Sequence, residues 1–332
     1  MTTLDLSVEI TTFNRKETLC DALSALARQE ADGVRFEVVL SDDGSTDGLQ
    51  AAVADLAGGL PYELRLVQNQ HRGPGHAHNR GFEACRGELV LMLAADIIAS
   101  PRLVAEHVAS HRAHPAPEVM VAGALTQSLD LPPSAFQRAA DHAVERVFRN
   151  QFADVEHGGF LVSNLSFKRD FMLGHGMFRE WPPAAGEDIE LGFRLQRAGM
   201  RLVGNPAALG YHHHEESMGS VARRAYTAGF NSHHYVEAID TPWVRRRFGR
   251  LPPDAGMAER LRARARDVLR GLLVNRFSNG LVVEPLLRGA EMLTPLERVT
   301  PLLFDRFNAY YFNRGLTDQR RGRDYAPPRF DD

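Results

Sequence analysis

The sequence predicts an α/β fold in which a mixed, mostly parallel sheet is flanked by helices. Strand-like and helix-like segments alternate over the first hundred residues, and 44% of the 332 residues are hydrophobic against 24% charged. The alternation favours parallel strands joined by helical crossovers on both faces of one sheet. The composition is typical of a globular chain that buries a large core.

The first part of the pattern consists of four strands and three helices. The period-2 and apolar runs predict strands at 6–12, 36–41, 63–67 and 88–93, and the amphipathic stretches predict helices near 16–28, 47–57 and 76–85. Ligands of such sheets bind beyond the carboxyl ends of the strands. The loops that begin at Thr11, Ser41 and Ala94 are therefore expected to line one crevice.

The later pattern is mixed. It predicts helices near 100–113, 134–150 and 187–198, and strands at 119–125, about 160–168, 200–204 and 207–211. The last of these strands ends at three consecutive histidines, residues 212–214. Beyond Glu216 the sequence looks helical and is interrupted by prolines, which predicts a C-terminal helical extension.

Composition excludes several classes of protein. Only Lys16 and Lys168 are present against 37 arginines, so neither a Schiff-base lysine nor a phosphate-binding lysine of the Walker type is expected. Cys20 and Cys85 are too few for a disulfide framework. The longest apolar run, Leu89–Ala95, is far shorter than the ~18 residues of a membrane helix. The N-terminal residues lack the pattern of a secretory signal, so a cytoplasmic location is expected.

Charge is distributed unevenly along the chain. The net charge is −3, yet residues 241–332 contain 18 Arg against 11 Asp or Glu. These arginines alternate with Leu, Ala and acids, as on a solvated helix face, and we expect no nucleic-acid partner. A peripheral membrane contact and a homodimer contact through this region both stay open.

Two acidic segments follow predicted strands. DDGSTDG (42–48) either forms a tight turn that caps the next helix or brings Asp42 and Asp43 to the hydrogen-bonding groups of a nucleobase or ribose. Asp96 either caps the helix near Ser100 or holds a divalent cation beside a diphosphate. Together, the three carboxylates favour a metal–nucleotide site.

Acidic and basic side chains also recur in the second half. Glu187 and Asp188 begin a helix, where acids complement the dipole and where a carboxylate can stay ionised as a general base. On an extended strand His212 and His214 share a face, so both imidazoles could reach one site. They are either surface features or nitrogen ligands that complete an oxygen-rich metal shell.

Seven segments in this order resemble family 2 glycosyltransferases, which have the Rossmann-like GT-A fold. They are TTFNR, SDDGSTDG, GPGHAHNRG, LMLAADI, NLSFKR, GEDIELGFRLQRAG and GYHHH. The resemblance covers about residues 5–230. It implies a nucleotide-sugar-binding half (1–98), an acceptor-binding and catalytic half (99–230) and a mainly helical, basic extension (231–332).

The resemblance implies an inverting transfer of a sugar from a nucleotide-diphospho-sugar donor to a hydroxyl of a glycan or small-molecule acceptor. Asp188 would be the general base, with Glu187 beside it at the acceptor. A cation, Mn²⁺ or Mg²⁺, would be bound by Asp96, His212 and His214. The donor would be contacted by Thr11, Thr12, Arg15, Asp42, Asp43, His78, Arg80 and Ala95.

Two departures from the family pattern keep other hypotheses open. Ala94 and Ala95 stand where another acid of the metal-binding motif is usual, and His78 stands where an arginine is expected. The alternative is a metal-independent or non-catalytic nucleotide-binding protein of the same fold. A nucleotidyltransferase is disfavoured, because TTFNRKET has no glycine-rich loop.

Overall fold

The computed structural model describes residues 4–31, 33–131, 134–153, 160–182, 185–239, 241–247, 255–262, 264–265, 274–290 and 298–330. The chain divides into two compact units. The first comprises residues 1–131, 145–182 and 187–214, and the second comprises residues 132–144, 183–186 and 215–332. The domain boundaries predicted at 98 and 230 stay predictions.

The first unit is built around an eight-stranded sheet. Its strands are β1 (Leu6–Thr12), β2 (Phe36–Asp42), β3 (Glu63–Gln68), β4 (Leu89–Leu93), β5 (Ile97–Ala99), β6 (Val119–Gln127), β7 (Asn164–Lys168) and β8 (Arg201–His212). Their order is β3-β2-β1-β4-β7-β6-β8-β5. The first four strands run parallel, β7 is antiparallel to β4 and β6, and β8 is parallel to β6 and antiparallel to β5. The predicted mixed sheet is confirmed.

Helices connect these strands, and the amphipathic pattern predicts all of them except the short one at Arg169–His175. They are α1 (Lys16–Leu26), α2 (Leu49–Ala57), α3 (Pro74–Ala84), α4 (Leu103–Ala113), α6 (Arg169–His175) and α7 (Glu187–Arg197), while α5 (Ala135–Phe148) contributes residues to both units. Both faces of β1 are covered, since even Ser7 and Glu9 are buried. Burial on both faces is the rule for parallel strands.

The second unit is helical. It contains α8 (Met218–Asn231), α9 (His233–Ala238), α10 (Pro242–Arg247), α11 (Arg276–Ser278), a π-helical turn (Asn279–Val283), α12 (Glu284–Gly289) and α13 (Thr300–Arg320). Helices α8 and α13 approach closely because Gly229 and Gly315 lie at their crossing. A Cβ at either glycine would come within 2.0 Å of a carbonyl oxygen of the other helix. None of the described helices is long and apolar enough to cross a membrane.

The region of β8 differs most from the sequence prediction. The two strands expected at 200–204 and 207–211 form one strand, because β8 stays paired with β6 across a bulge. The register passes from Gly123↔Asn205 to Ala124↔Leu209, and the Asn164 amide fills the bulge by donating to the carbonyls of Ala124 and Ala208. The strand expected from 160 begins only at Asn164, and the short β5 was not predicted.

A buried histidine network joins α4 to β7. His107 contacts the Ser166 hydroxyl through Nδ1 and the Asn164 amide oxygen through Nε2, both at 2.8 Å, and His111 Nε2 lies 2.9 Å from the same hydroxyl. Burial disfavours the charged imidazoles. It lowers the pKa of His107 to about 4 and that of His111 to about 3.

The lowered pKa values predict that the fold loses stability in acid. The unfolded chain binds protons near pH 6.5, whereas the folded chain resists them down to about pH 4. The free energy of unfolding should therefore fall as the pH drops below 6.5, by up to about 1.4 kcal/mol per pH unit for each histidine. Urea unfolding between pH 4 and 8 measures this slope.

The variant His111→Gln should have a shallower slope than the wild type. An equal slope in His111→Gln and the wild type would contradict the assignment.

Candidate functional site

Two buried polar side chains end the neighbouring strands β1 and β2. Thr12 and Asp42 are register partners, and they are 3% and 0% exposed. One carboxylate oxygen of Asp42 accepts the Ser45 amide at 2.9 Å. Within the described part of the chain, Asp42 Oδ2 and Thr12 Oγ1 have no hydrogen-bond partner. An unpaired buried polar atom costs about 1–3 kcal/mol, so this edge is suited to a hydrogen-bonding ligand.

The loop after β1 is fixed to the loop after β2. Asn14 adopts a left-handed backbone conformation with φ of 51°. The backbone N–H of Asn14 donates to the Ser45 hydroxyl at 2.9 Å. The side-chain oxygen of Asn14 accepts the backbone N–H of Thr46 at 2.8 Å. Because short polar side chains such as Asn tolerate this conformation, the local sequence can turn here. Arg15 directly follows this turn and bonds to Asp96.

Asp43 organises the loop that leads into α3. Its two carboxylate oxygens accept the backbone amides of Arg72 and Gly73, both at 3.0 Å, and the ring of His71 lies 2.8 Å from one of them. The carboxylate is buried. The contacts of Asp43 therefore support loop structure, while a donor contact by this residue stays a prediction.

Asp96 gathers three basic side chains around one oxygen. Asp96 Oδ2 lies 2.8 Å from the Arg15 guanidinium, 3.4 Å from His214 Nδ1 and 3.9 Å from His212 Nε2. Arg15 also lies 2.7 Å from His214 Nδ1. The buried position alone would raise the pKa of Asp96, but His214 and Arg15, followed by His212, outweigh it and lower the pKa to about 2. The carboxylate stays ionised.

Backbone bonds hold this cluster in place. The His213 amide donates to the Asp96 carbonyl at 2.8 Å, and β5 pairs with the end of β8 through Ile97 and His212. His212 Nδ1 lies 2.7 Å from the side-chain oxygen of Gln127. The strand β5, which the sequence pattern did not predict, thus brings the histidines to Asp96.

Asp188 lies at the start of α7. Its carboxylate accepts the backbone amide of Ile189 at 2.8 Å. Burial raises the pKa of Asp188, against the effects of this amide and of the His78 imidazole. A carboxylate with a raised pKa is suited to accept a proton from an attacking hydroxyl. Glu187 precedes it in the first turn of the helix.

Sequence reasoning missed the role of Glu9 in this region. Glu9 is buried in β1, and its Oε2 lies 2.9 Å from His78 Nδ1 while its Oε1 accepts the Thr11 hydroxyl at 2.8 Å. Burial opposes a charge on His78, but Glu9, Glu187 and Asp188 outweigh it and raise the histidine pKa. The available signal was a glutamate in the middle of an apolar strand.

Two other residues that the sequence predicts to contact the sugar donor, Ala95 and Arg80, have different surroundings. Ala95 is buried directly before Asp96. Arg80 lies on the exposed side of α3 and pairs with Glu83, so the structure does not bring it to the Asp96 cluster. Among the residues described, no group of three or more His, Cys, Asp or Glu side chains is arranged to hold a metal ion.

Comparison with known proteins finds a family match for part of the chain. Residues 7–130 match the model of Glycosyl transferase family 2. The validoxylamine A glucosyltransferase of Streptomyces hygroscopicus subsp. limoneus is 31% identical over 223 residues, which cover 60% of this chain and 49% of that protein. The chain spans about half to three fifths of the length of the curated relatives it matches first.

Solved structures share the fold. A mannosyltransferase of Pyrobaculum calidifontis, in complex with GDP-Man and Mn²⁺, has a TM-score of 0.58 and 19% identity, covering 96% of this chain and 89% of that one. Residues 1–349 of Staphylococcus aureus TarS, in complex with UDP-GlcNAc, have a TM-score of 0.50 and 16% identity, covering 97% and 93%. The expected GT-A fold is confirmed.

The contacts of Asp43 predict a mainly structural penalty when it is replaced. Asp43→Ala should lower the free energy of unfolding by about 2–3 kcal/mol, because it leaves backbone amides of the 71–73 loop without an acceptor. Urea unfolding measures the loss. Asp55→Ala, at an exposed position of α2, should stay within about 0.5 kcal/mol of the wild type. Equal stability of the two variants would refute the structural role.

Proposed function

We propose that this chain is an inverting glycosyltransferase that moves a sugar from a nucleotide-diphospho-sugar donor to an acceptor hydroxyl. The observation that carries the proposal is the pair of unpartnered buried atoms, Thr12 Oγ1 and Asp42 Oδ2, at adjacent strand ends. A nucleobase or ribose offers the hydrogen-bonding groups that would satisfy these atoms. The family of residues 7–130 and the named activities of the relatives support the same reaction.

Asp188 is the proposed general base. Its carboxylate lies at the start of α7 and has a raised pKa, which favours proton uptake. It would take the proton of the acceptor hydroxyl as that oxygen attacks the anomeric carbon, while the bond to the diphosphate breaks on the opposite side. Glu187 would contact the acceptor. The acceptor class, a glycan or a small molecule, is carried over from the family resemblance.

The proposed cation site consists of Asp96 with His212 and His214. Asp96 Oδ2 lies within 3.9 Å of a ring nitrogen of each histidine, and carboxylate and imidazole are both ligands of divalent metals, but the three side chains would have to rearrange to bind one. The Mn²⁺ bound with GDP-Man in the Pyrobaculum enzyme supports this choice. When bound, the ion supplies positive charge that stabilises the departing diphosphate. Arg15, now paired with Asp96, would have to turn toward the donor.

A metal-independent form of the reaction is the second candidate. The specific observation in its favour is the 2.8 Å ion pair between Arg15 and Asp96, which gives the carboxylate a cationic partner from the chain itself. In this form Arg15 would contribute the positive charge beside the diphosphate. The absence of a second acid at Ala94 and Ala95 is consistent with it.

Nucleotide binding separates these candidates. We expect one of UDP, GDP, ADP, CDP or dTDP to raise the melting temperature by a few degrees at about 100 times its dissociation constant, a stabilisation of about 2.7 kcal/mol. If the reaction depends on a bound cation, the shift in melting temperature should require Mn²⁺ or Mg²⁺ and should disappear when EDTA is added. The Asp96→Asn variant should then lose the metal effect. A shift of equal size with and without metal supports the metal-independent candidate. The absence of a shift with every nucleotide contradicts both candidates.

Replacement of the base should affect turnover but not donor binding. Asp188→Asn is expected to reduce transfer by about 10²–10⁴-fold, since the amide cannot accept the proton, while the thermal shift with nucleotide is retained. Asp170→Asn, an exposed acid in the first turn of α6, is the matched control and should transfer at the wild-type rate. Unchanged turnover in Asp188→Asn would remove the base assignment.

A further inference from the structure

The cluster formed by Glu9, Thr11 and His78 contains a charged pair that the proposed reaction does not use. His78 Nδ1 lies 2.9 Å from Glu9 Oε2 and 3.0 Å from Thr11 Oγ1. The Thr11 hydroxyl donates its proton to Glu9 Oε1, so its oxygen is left to accept from the ring. The Nδ1 atom of His78 therefore carries a proton in both charge states, and uptake of a proton at Nε2 makes the ring cationic.

Packing fixes the orientation of this pair. Glu9 is 1% exposed, and a Cβ at Gly81 of α3 would come within 2.6 Å of its carboxylate. On its other side the His78 ring stacks on Phe178, with centroids 4.9 Å apart. Two hydrogen bonds between Asn79 and the backbone of Phe178 hold that ring against α3. The imidazole thus has little freedom to turn away from Glu9.

The charged groups that face His78 come from two elements. Glu9 acts from β1, and Glu187 and Asp188 act from the start of α7. The influence is mutual, because His78 is the charged group that favours ionised Asp188. His78 therefore interacts electrostatically both with Glu9 of β1 and with the acids at the start of α7.

We propose that Glu9 is a positioning residue that keeps His78 in its cationic form, and that this cation holds the Asp188 carboxylate ionised. The proposal deepens the proposed function, since it rests on Asp188 as the base of the transfer. Without Glu9 the ring would lose its nearest anion and release its proton at lower pH. Asp188 would then lose its cationic neighbour and become protonated at higher pH.

The titration of His78 tests the pair without any turnover. NMR of labelled imidazoles, with the His78 signal assigned from its loss in His78→Gln, should give a pKa above the ordinary value of 6.5 in the wild type. Removal of one facing carboxylate, in Glu9→Gln or separately in Asp188→Asn, should lower it by about 1 unit or more. Because Asp188→Asn leaves Glu9 in place, the coupling stays testable even if Glu9→Gln folds poorly.

The pH profile of transfer tests the consequence for the base. The acidic limb of kcat/KM should move to higher pH by about 1 unit in Glu9→Gln and in His78→Gln. The double variant should move no further than His78→Gln, because Glu9 acts only through His78. Glu37→Gln is the matched control. Glu37 is also a buried strand glutamate, but it bonds to Ser7 and Arg86. In Glu37→Gln, neither the pKa of His78 nor the acidic limb of the kcat/KM profile should therefore change.

The outcomes separate the two proposals. If transfer is observed but neither the His78 pKa nor the acidic limb responds to Glu9→Gln, the positioning role is wrong and the transferase function stands. If His78 responds to both carboxylate variants but no donor is consumed, the coupled pair stands and the proposed function is wrong. A limb shift in Glu37→Gln equal to that in Glu9→Gln would also overturn the positioning role.

Discussion

The parallel pairing of β1 between β2 and β4 is the constraint on which the rest of the site depends. It aligns Thr12 with Asp42 and brings the loop after β4, which carries Asp96, to the same edge of the sheet. Arg15 follows β1 by three residues and can reach Asp96 only because the two strands end side by side. A shift of one residue in this register would turn these side chains toward the opposite face.

The pKa values of the two buried carboxylates of the site are shifted in opposite directions. Asp96 is surrounded by a guanidinium and two imidazoles, and these charges more than offset the cost of removing it from water. Asp188 is also buried but has fewer compensating charged groups, so its pKa is raised. One acid is thereby suited to permanent negative charge and the other to proton exchange. The difference arises from neighbours, since both are aspartates near the ends of elements.

The order and type of most elements could be predicted from the sequence, because apolar periodicity depends on which face of a strand or helix is buried. The ranges predicted for β1, β2 and β3 agree with the structure within a residue or two. The continuity of β8 could not be predicted. Asn205 and Pro206 read locally as an interruption, and only pairing with β6 and the amide of Asn164 carries the strand across the bulge. The short β5 has too few residues for a period to be recognised.

The sequence by itself determined the αβ order, the family-like segments and the identity of the acids and histidines that follow the strands. Their proximity was decided by tertiary structure, because contacts such as Arg15 with His214 join residues 199 positions apart in the chain. The same is true of Glu9, which a linear pattern presents only as a polar residue in an apolar strand. Its partner His78 lies 69 residues away, and the parallel sheet with α3 packed against it brings the two together. The sequence specified the chemistry available, and the long-range packing specified which groups act on one another.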